Sequence, residues 1–84
     1  MLWGVAKSQH VLGYRPVMRL LREMREEAGM TQREMAAKVR KPQPWVHKSE
    51  VGERRLDINE FYLWATACNV RPEEAFERFV RLRR

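Results

Sequence analysis

Two prolines one residue apart, Pro42 and Pro44, leave a helix a single place to begin. Proline has no amide hydrogen and its ring collides with the carbonyl one turn back. It is therefore tolerated in a first turn, where amide hydrogens lack an intrahelical partner anyway, and not deeper. A helix in this stretch must start near Pro42 and stop before Gly52, which gives the segment Pro42 to Glu50. Just upstream, Thr31-Gln32-Arg33-Glu34 reads as a capping box, in which the Thr hydroxyl and the Glu carboxylate satisfy free amides at a helix start. That box opens a helix from Thr31 to Val39, and only Arg40-Lys41 separates the two pieces. Helices this short do not stand alone in water, so longer neighbours must hold them.

The rest of the punctuation supplies those neighbours. A first helix is expected over Pro16 to Ala28, with Val17, Leu20, Leu21, Met24 and Ala28 on one stripe and Gly29 as its stop. Arg19, Arg22, Glu23, Glu26 and Glu27 occupy its other faces. Asp57-Ile58-Asn59-Glu60 is a second capping signature, opening a fourth helix that runs to Asn69. Phe61, Trp64, Ala65 and Cys68 fall on one face of it, and Asn69 suits a left-handed terminus. A last helix runs from Pro72 to about Leu82, with Glu73 and Glu74 at its positive end and Arg81, Arg83 and Arg84 at its negative end. Strand alternation is absent. The expected fold is all-α, with one domain over residues 15–84 and an N-terminal arm over 1–14 that is flexible or partly docked.

Composition narrows the chemistry. Eighty-four residues make one domain at most, too small for a typical enclosed active site. A single cysteine, Cys68, rules out an intrachain disulfide and suits a reducing cytoplasm. His10 and His47 stand apart from any second ligand, so no metal is expected. No catalytic triad, glycine-rich phosphate loop or convergent carboxylate pair is found, and neither an enzyme nor a cofactor is expected. Met1 to Gly13 is too short and polar to span a membrane and has no signal-peptide pattern. Seventeen Lys and Arg against eleven Asp and Glu leave a net charge of +6, which draws polyanions toward the surface.

Two short helices joined by a tight turn in a basic protein form a helix-turn-helix arrangement. The run Leu21-Arg22-Glu23-Met24-Arg25-Glu26-Glu27-Ala28-Gly29-Met30-Thr31-Gln32 is followed by Glu34-Met35-Ala36, Lys41-Pro42-Gln43-Pro44-Trp45-Val46 and Glu50-Val51-Gly52-Glu53-Arg54-Arg55-Leu56-Asp57. Together, and in this order, they resemble the lambda-repressor-like, or XRE-type, helix-turn-helix family of bacterial and phage regulators. The resemblance covers about residues 17 to 76 and implies a compact five-helix domain with the helix-turn-helix in helices 2 and 3.

The resemblance also implies roles. Gln32, at the start of the second helix, matches a phosphate-contacting position, and helix-start amides suit an anion there. Gln43, Pro44 and Trp45 match the positions that face base edges, with His47 and Lys48 nearby. Gln43 can read adenine with both amide groups, and Lys48 can reach guanine acceptors or a phosphate. Trp45 has two readings, a contact with a thymine methyl or an anchor closing the short helix over the core. Arg54 and Arg55 match phosphate clamps after the recognition helix, and Arg40 and Lys41 are further phosphate candidates. Glu50 matches a residue that pairs with the counterpart of Arg25, which implies a buried ion pair.

Two positions depart from the family pattern. Pro44 stands where members often carry a donor to a base. Ser49 stands where a large apolar residue is expected, which loosens the helix unless Trp45 or another neighbour fills the space.

These readings converge on a sequence-specific transcriptional regulator, a repressor binding double-stranded DNA as a homodimer on an inverted-repeat operator. Two recognition helices about 34 Å apart carry enough information to select a site. Leu63, Phe76, Phe79, Val80 and Leu82 are the candidate dimer surface on helices 4 and 5, the alternative being that they complete the monomer core. A cytoplasmic, nucleoid-associated protein encoded by a bacterium or phage is expected. The competing reading is a protein-interaction module, such as an antitoxin that binds a protein partner.

Overall fold

A computed structural model describes the backbone of residues 7–84 and the side chains from Gly13 onward. Among these residues the regular secondary structure is all helix, in the order α1 (Lys7–Glu27), α2 (Gln32–Val39), α3 (Gln43–Val51), α4 (Ile58–Ala67) and α5 (Pro72–Arg83). No helix among them is long and apolar enough to cross a membrane. The all-α, five-helix expectation is met. Both capping boxes form: Thr31 accepts from the Glu34 amide while Glu34 accepts from the Thr31 amide, and Asp57 and Glu60 repeat the exchange. Pro42 and Pro44 occupy the cap and first turn of α3, and Asn69 takes a left-handed φ of 63°.

The first helix differs from the expected Pro16 start. It begins at Lys7, with Pro16 inside it. An interior proline removes one backbone hydrogen bond and costs about 3 kcal/mol in an isolated helix. Tertiary contacts offset that loss on the upstream side. Tyr14 is buried and its hydroxyl accepts the Leu56 amide hydrogen at 2.9 Å, while the Gly13 carbonyl accepts from Arg83 Nη1 at 3.0 Å. Of the expected arm, residues 1–6 lie outside the described residues and 7–14 belong to α1. Ala28, placed on the core stripe by its spacing, lies just past the end of α1 and is exposed.

Helix α2 packs on α3 and α4, while α1 packs on α3 and α5. Between them Leu20, Leu21, Met24, Met35, Val46 and Trp64 are fully buried. Each such side chain contributes about 1.5–3 kcal/mol relative to exposure. Trp64 keeps its one polar atom satisfied, donating from Nε1 to the Leu21 carbonyl at 3.1 Å. Cys68 lies against Met35, sulfur to sulfur at 3.8 Å. Burial pushes its thiol up from 9.0 to about 11, desolvation outweighing the attraction of Arg25 for the thiolate.

One ion pair fixes the geometry that matters most. Arg25 on α1 donates from Nε to Glu50 Oε2 at 2.6 Å and from Nη2 to Oε1 at 3.1 Å. Its third nitrogen, Nη1, donates to the Met30 carbonyl at 2.8 Å, and Gln32 Nε2 donates to Glu50 Oε1 at 3.1 Å. The two charged side chains are 10% and 3% exposed. The Glu50 hydrogen bonds hold the Arg25 guanidinium charged and raise its pKa against the opposing effect of burial.

Glu50→Ala strands the Arg25 cation in a dry site and should lower unfolding free energy in urea by about 3–5 kcal/mol. The double variant Arg25→Met/Glu50→Leu, which leaves no buried charge, should lose less than Glu50→Ala. For Cys68, the unfolded chain ionises before the folded one, so stability present below pH 9 is lost as pH rises toward 11. Unfolding free energy of the native chain should fall by about 2–3 kcal/mol more than that of Cys68→Ala across this window.

Candidate nucleic-acid interface

Helix α3 starts without a side-chain cap, since its cap residue is Pro42, and it ends at Gly52 with φ 81°. A glycine suits that place: the φ is left-handed, and a Cβ would come within 2.8 Å of Met18 Sδ on α1, so the thioether would have to shift. This close approach lays the C-terminal end of α3 against α1. Val46, Ser49 and Glu50 turn inward and are buried, which leaves Gln43, Pro44, His47 and Lys48 exposed on the opposite flank. The spacing of inward residues at 46, 49 and 50 is that of one helical stripe, so the outward flank follows from it.

Trp45 lies between the two flanks and is half-buried. Its ring packs against that of Trp64 at 5.9 Å between centroids, tilted by 31°. The Arg54 guanidinium lies over the same ring at 4.6 Å and Lys41 Nζ at 5.6 Å. The packing on Trp64 is the anchoring contact described above as the alternative to a thymine contact. Ser49, small where a large apolar side chain was expected, leaves no loose end. It is fully buried and its Oγ donates to the Trp45 carbonyl at 2.7 Å. Arg54 Nη1 in turn donates to that Oγ at 3.4 Å.

Around this helix lie the residues expected to contact phosphate. Arg40, in the turn, takes a left-handed φ of 60°, and its amide and that of Lys41 close the end of α2 on the carbonyls of Ala37 and Ala36. Both side chains are exposed, as is Arg55. Gln32 is half-buried, donating to Glu50 at the start of α2. Arg54 is half-buried and bonded to Glu60 at 3.0 and 3.3 Å from Nη2. The structure thus gathers Gln43, Pro44, His47, Lys48, Arg40 and Lys41 on exposed positions of α3 and the turn before it. It draws Gln32, Trp45 and Arg54 partly into the fold.

Two participants escaped the sequence reading. Tyr14 braces the loop after α3, its hydroxyl on the Leu56 amide and its ring at 5.5 Å beneath the Arg55 guanidinium. Burial raises its pKa, the Leu56 hydrogen bond opposing that. The signal was available: Tyr14 falls three and seven residues before Val17 and Leu21 and so continues their apolar stripe upstream of Pro16. Glu60 was legible as half of a capping box, but its pairing with Arg54 was not. Among the described residues no cluster of His, Cys, Asp and Glu has the makings of a metal site.

Comparison with known proteins agrees with this geometry. The helix-turn-helix family model matches residues 21–74. An XRE-family like protein from Pseudomonas syringae pv. tomato str. DC3000 has a similar structure, with 36% sequence identity, 90% of this chain and 95% of that chain covered, and a TM-score of 0.77. No curated protein matches the sequence. The match spans the Arg25–Glu50 lock, α2, the Arg40-Lys41 turn and α3. With most of its length accounted for in this way, the chain belongs to the XRE-type, lambda-repressor-like helix-turn-helix family, a family of DNA-binding rather than catalytic domains.

Proposed function

We propose that the protein is a sequence-specific transcriptional regulator that inserts α3 into the major groove of an inverted-repeat operator, acting as a homodimeric repressor in the cytoplasm. The observation that carries this reading is the outward flank of α3. Gln43, His47 and Lys48 are exposed on a helix whose inward flank is locked by a buried ion pair. Gln43 offers an amide donor and acceptor matched to adenine, Lys48 a cation for guanine acceptors, and Pro44 an apolar contact. Arg40, Lys41 and Arg55 supply phosphate contacts around it, and Gln32 adds one from the start of α2. The net charge of +6 favours the encounter.

Support for the homodimer comes from the α4–α5 side. Phe76 is 54% exposed, Ile58 86% and Leu63 39%. Phe79 and Leu82 pack against the core, as does half-buried Phe61. An open apolar groove of about 170 Å³ runs between Val17, Leu56, Ile58, Phe61, Phe76 and Phe79. Apolar surface of this kind on a small basic domain is suited to self-association.

The test is selection from a degenerate duplex library at fixed salt. Enrichment of an inverted repeat is the expected result, and uniform binding without enrichment contradicts it. Tight capture of a protein partner with no duplex preference favours the interaction-module reading instead. Gln43→Ala should relax preference at one or two positions by about 1–3 kcal/mol. Arg55→Ala should weaken all sequences alike and reduce the salt slope by about one.

A further inference from the structure

We infer that Arg54 is a positioning residue that sets base preference through Trp45, and not a phosphate clamp like its neighbour Arg55; this inference rests on the DNA-reading role of α3 proposed above. The resemblance to the family gives the two arginines one role, and the structure separates them. Arg55 is exposed, whereas the Arg54 side chain is 28% exposed and its partner Glu60 18%. The Arg54 guanidinium is engaged through both terminal nitrogens and one face. Nη2 lies on both Glu60 oxygens, Nη1 on Ser49 Oγ, and the plane over the Trp45 ring at 4.6 Å. A phosphate approaching this group would also approach the Glu60 carboxylate, whose charge already answers that of Arg54. The repulsion and the lost internal bonds both oppose a clamp.

The contacts form a closed circuit around the first turn of α3. Ser49 Oγ holds the Trp45 carbonyl, Arg54 holds Ser49 Oγ and covers the Trp45 ring, and Glu60 holds Arg54. Glu60 is itself fixed by the Asp57 amide at 2.9 Å, at the start of α4. The Trp45 ring rests on buried Trp64. Helix α3 begins at prolines and has no side-chain cap, so its first turn has few hydrogen bonds of its own. Within the register set by the ion pair, the placement of that first turn rests on Trp45 beside buried Val46, and Gln43 lies two residues before Trp45 on the same turn. A planar guanidinium can stack on a ring while bonding a carboxylate and a hydroxyl, and an ammonium cannot do all three.

The test measures base preference by library selection, and salt slope on one fixed duplex, for the full chain and for Arg54→Lys, Glu60→Gln and Arg55→Lys. A thermal melt checks that each variant is folded. A brace predicts that Arg54→Lys and Glu60→Gln both change discrimination about tenfold at the positions sensitive to Gln43→Ala, with the salt slope unchanged. Arg55→Lys should keep the native preference. Glu60→Gln carries the test if Arg54→Lys fails to fold, because it leaves the Arg54 charge in place. A clamp predicts the reverse: native preference in Arg54→Lys, and equal or tighter binding with native preference in Glu60→Gln. That outcome overturns the inference while leaving the regulator reading intact. Absence of any enriched sequence with the native chain overturns both.

Discussion

The ion pair between Arg25 and Glu50 is the constraint on which the rest of the domain depends. Three separate pieces of chain meet on it: α1 through Arg25, the turn before α2 through the Met30 carbonyl, and α3 through Glu50. Gln32 at the start of α2 adds a fourth contact. A helix of nine residues such as α3 has little stability of its own. Being tied by a charge that must stay paired leaves it few alternative orientations. Burying the pair brings no large net gain over an apolar contact, since desolvation opposes the attraction. What it provides is a single register for α3 against α1 and α2, and that register decides which flank meets solvent.

From this lock the interface follows by geometry. With Val46, Ser49 and Glu50 turned inward, Gln43, Pro44, His47 and Lys48 face out, and these are the side chains proposed to meet base edges. Gly52 lets α3 end against Met18 without a clash, and Tyr14 holds the loop beyond it by the Leu56 amide. The long first helix thus braces α3 and the loop after it at three places, through Arg25, Met18 and Tyr14. The residues proposed to read bases lie on a flank whose position is set by contacts inside the fold.

What could be read in the sequence was mostly what is local. Thr31 with Glu34, and Asp57 with Glu60, close hydrogen bonds over three residues, so their pattern is written in consecutive letters. Proline placement fixed the start of α3 for the same reason. The pairing of Arg25 with Glu50 spans 25 residues and came from likeness to a family, not from spacing. Pro16 misled because its local cost is real, while the contacts that offset it, Tyr14 to Leu56 and Gly13 to Arg83, span 42 and 70 residues. The same holds for Arg54. Its pairing across the loop to Glu60 and its stacking on Trp45 depend on how α4 docks, which no short motif encodes. The exposure of Ile58 was likewise invisible, since its apolar character alone argues for burial.

The most direct measurement is a map of backbone amide NMR shifts in the full chain as a DNA duplex bearing the selected sequence is added. Shifts concentrated at the start of α2, along residues 40–48 and at Arg55, with α5 little changed, are the result this account predicts. Shifts centred on Ile58, Phe76 and the rest of the α4–α5 face, with Gln43 and Lys48 unmoved, would contradict it.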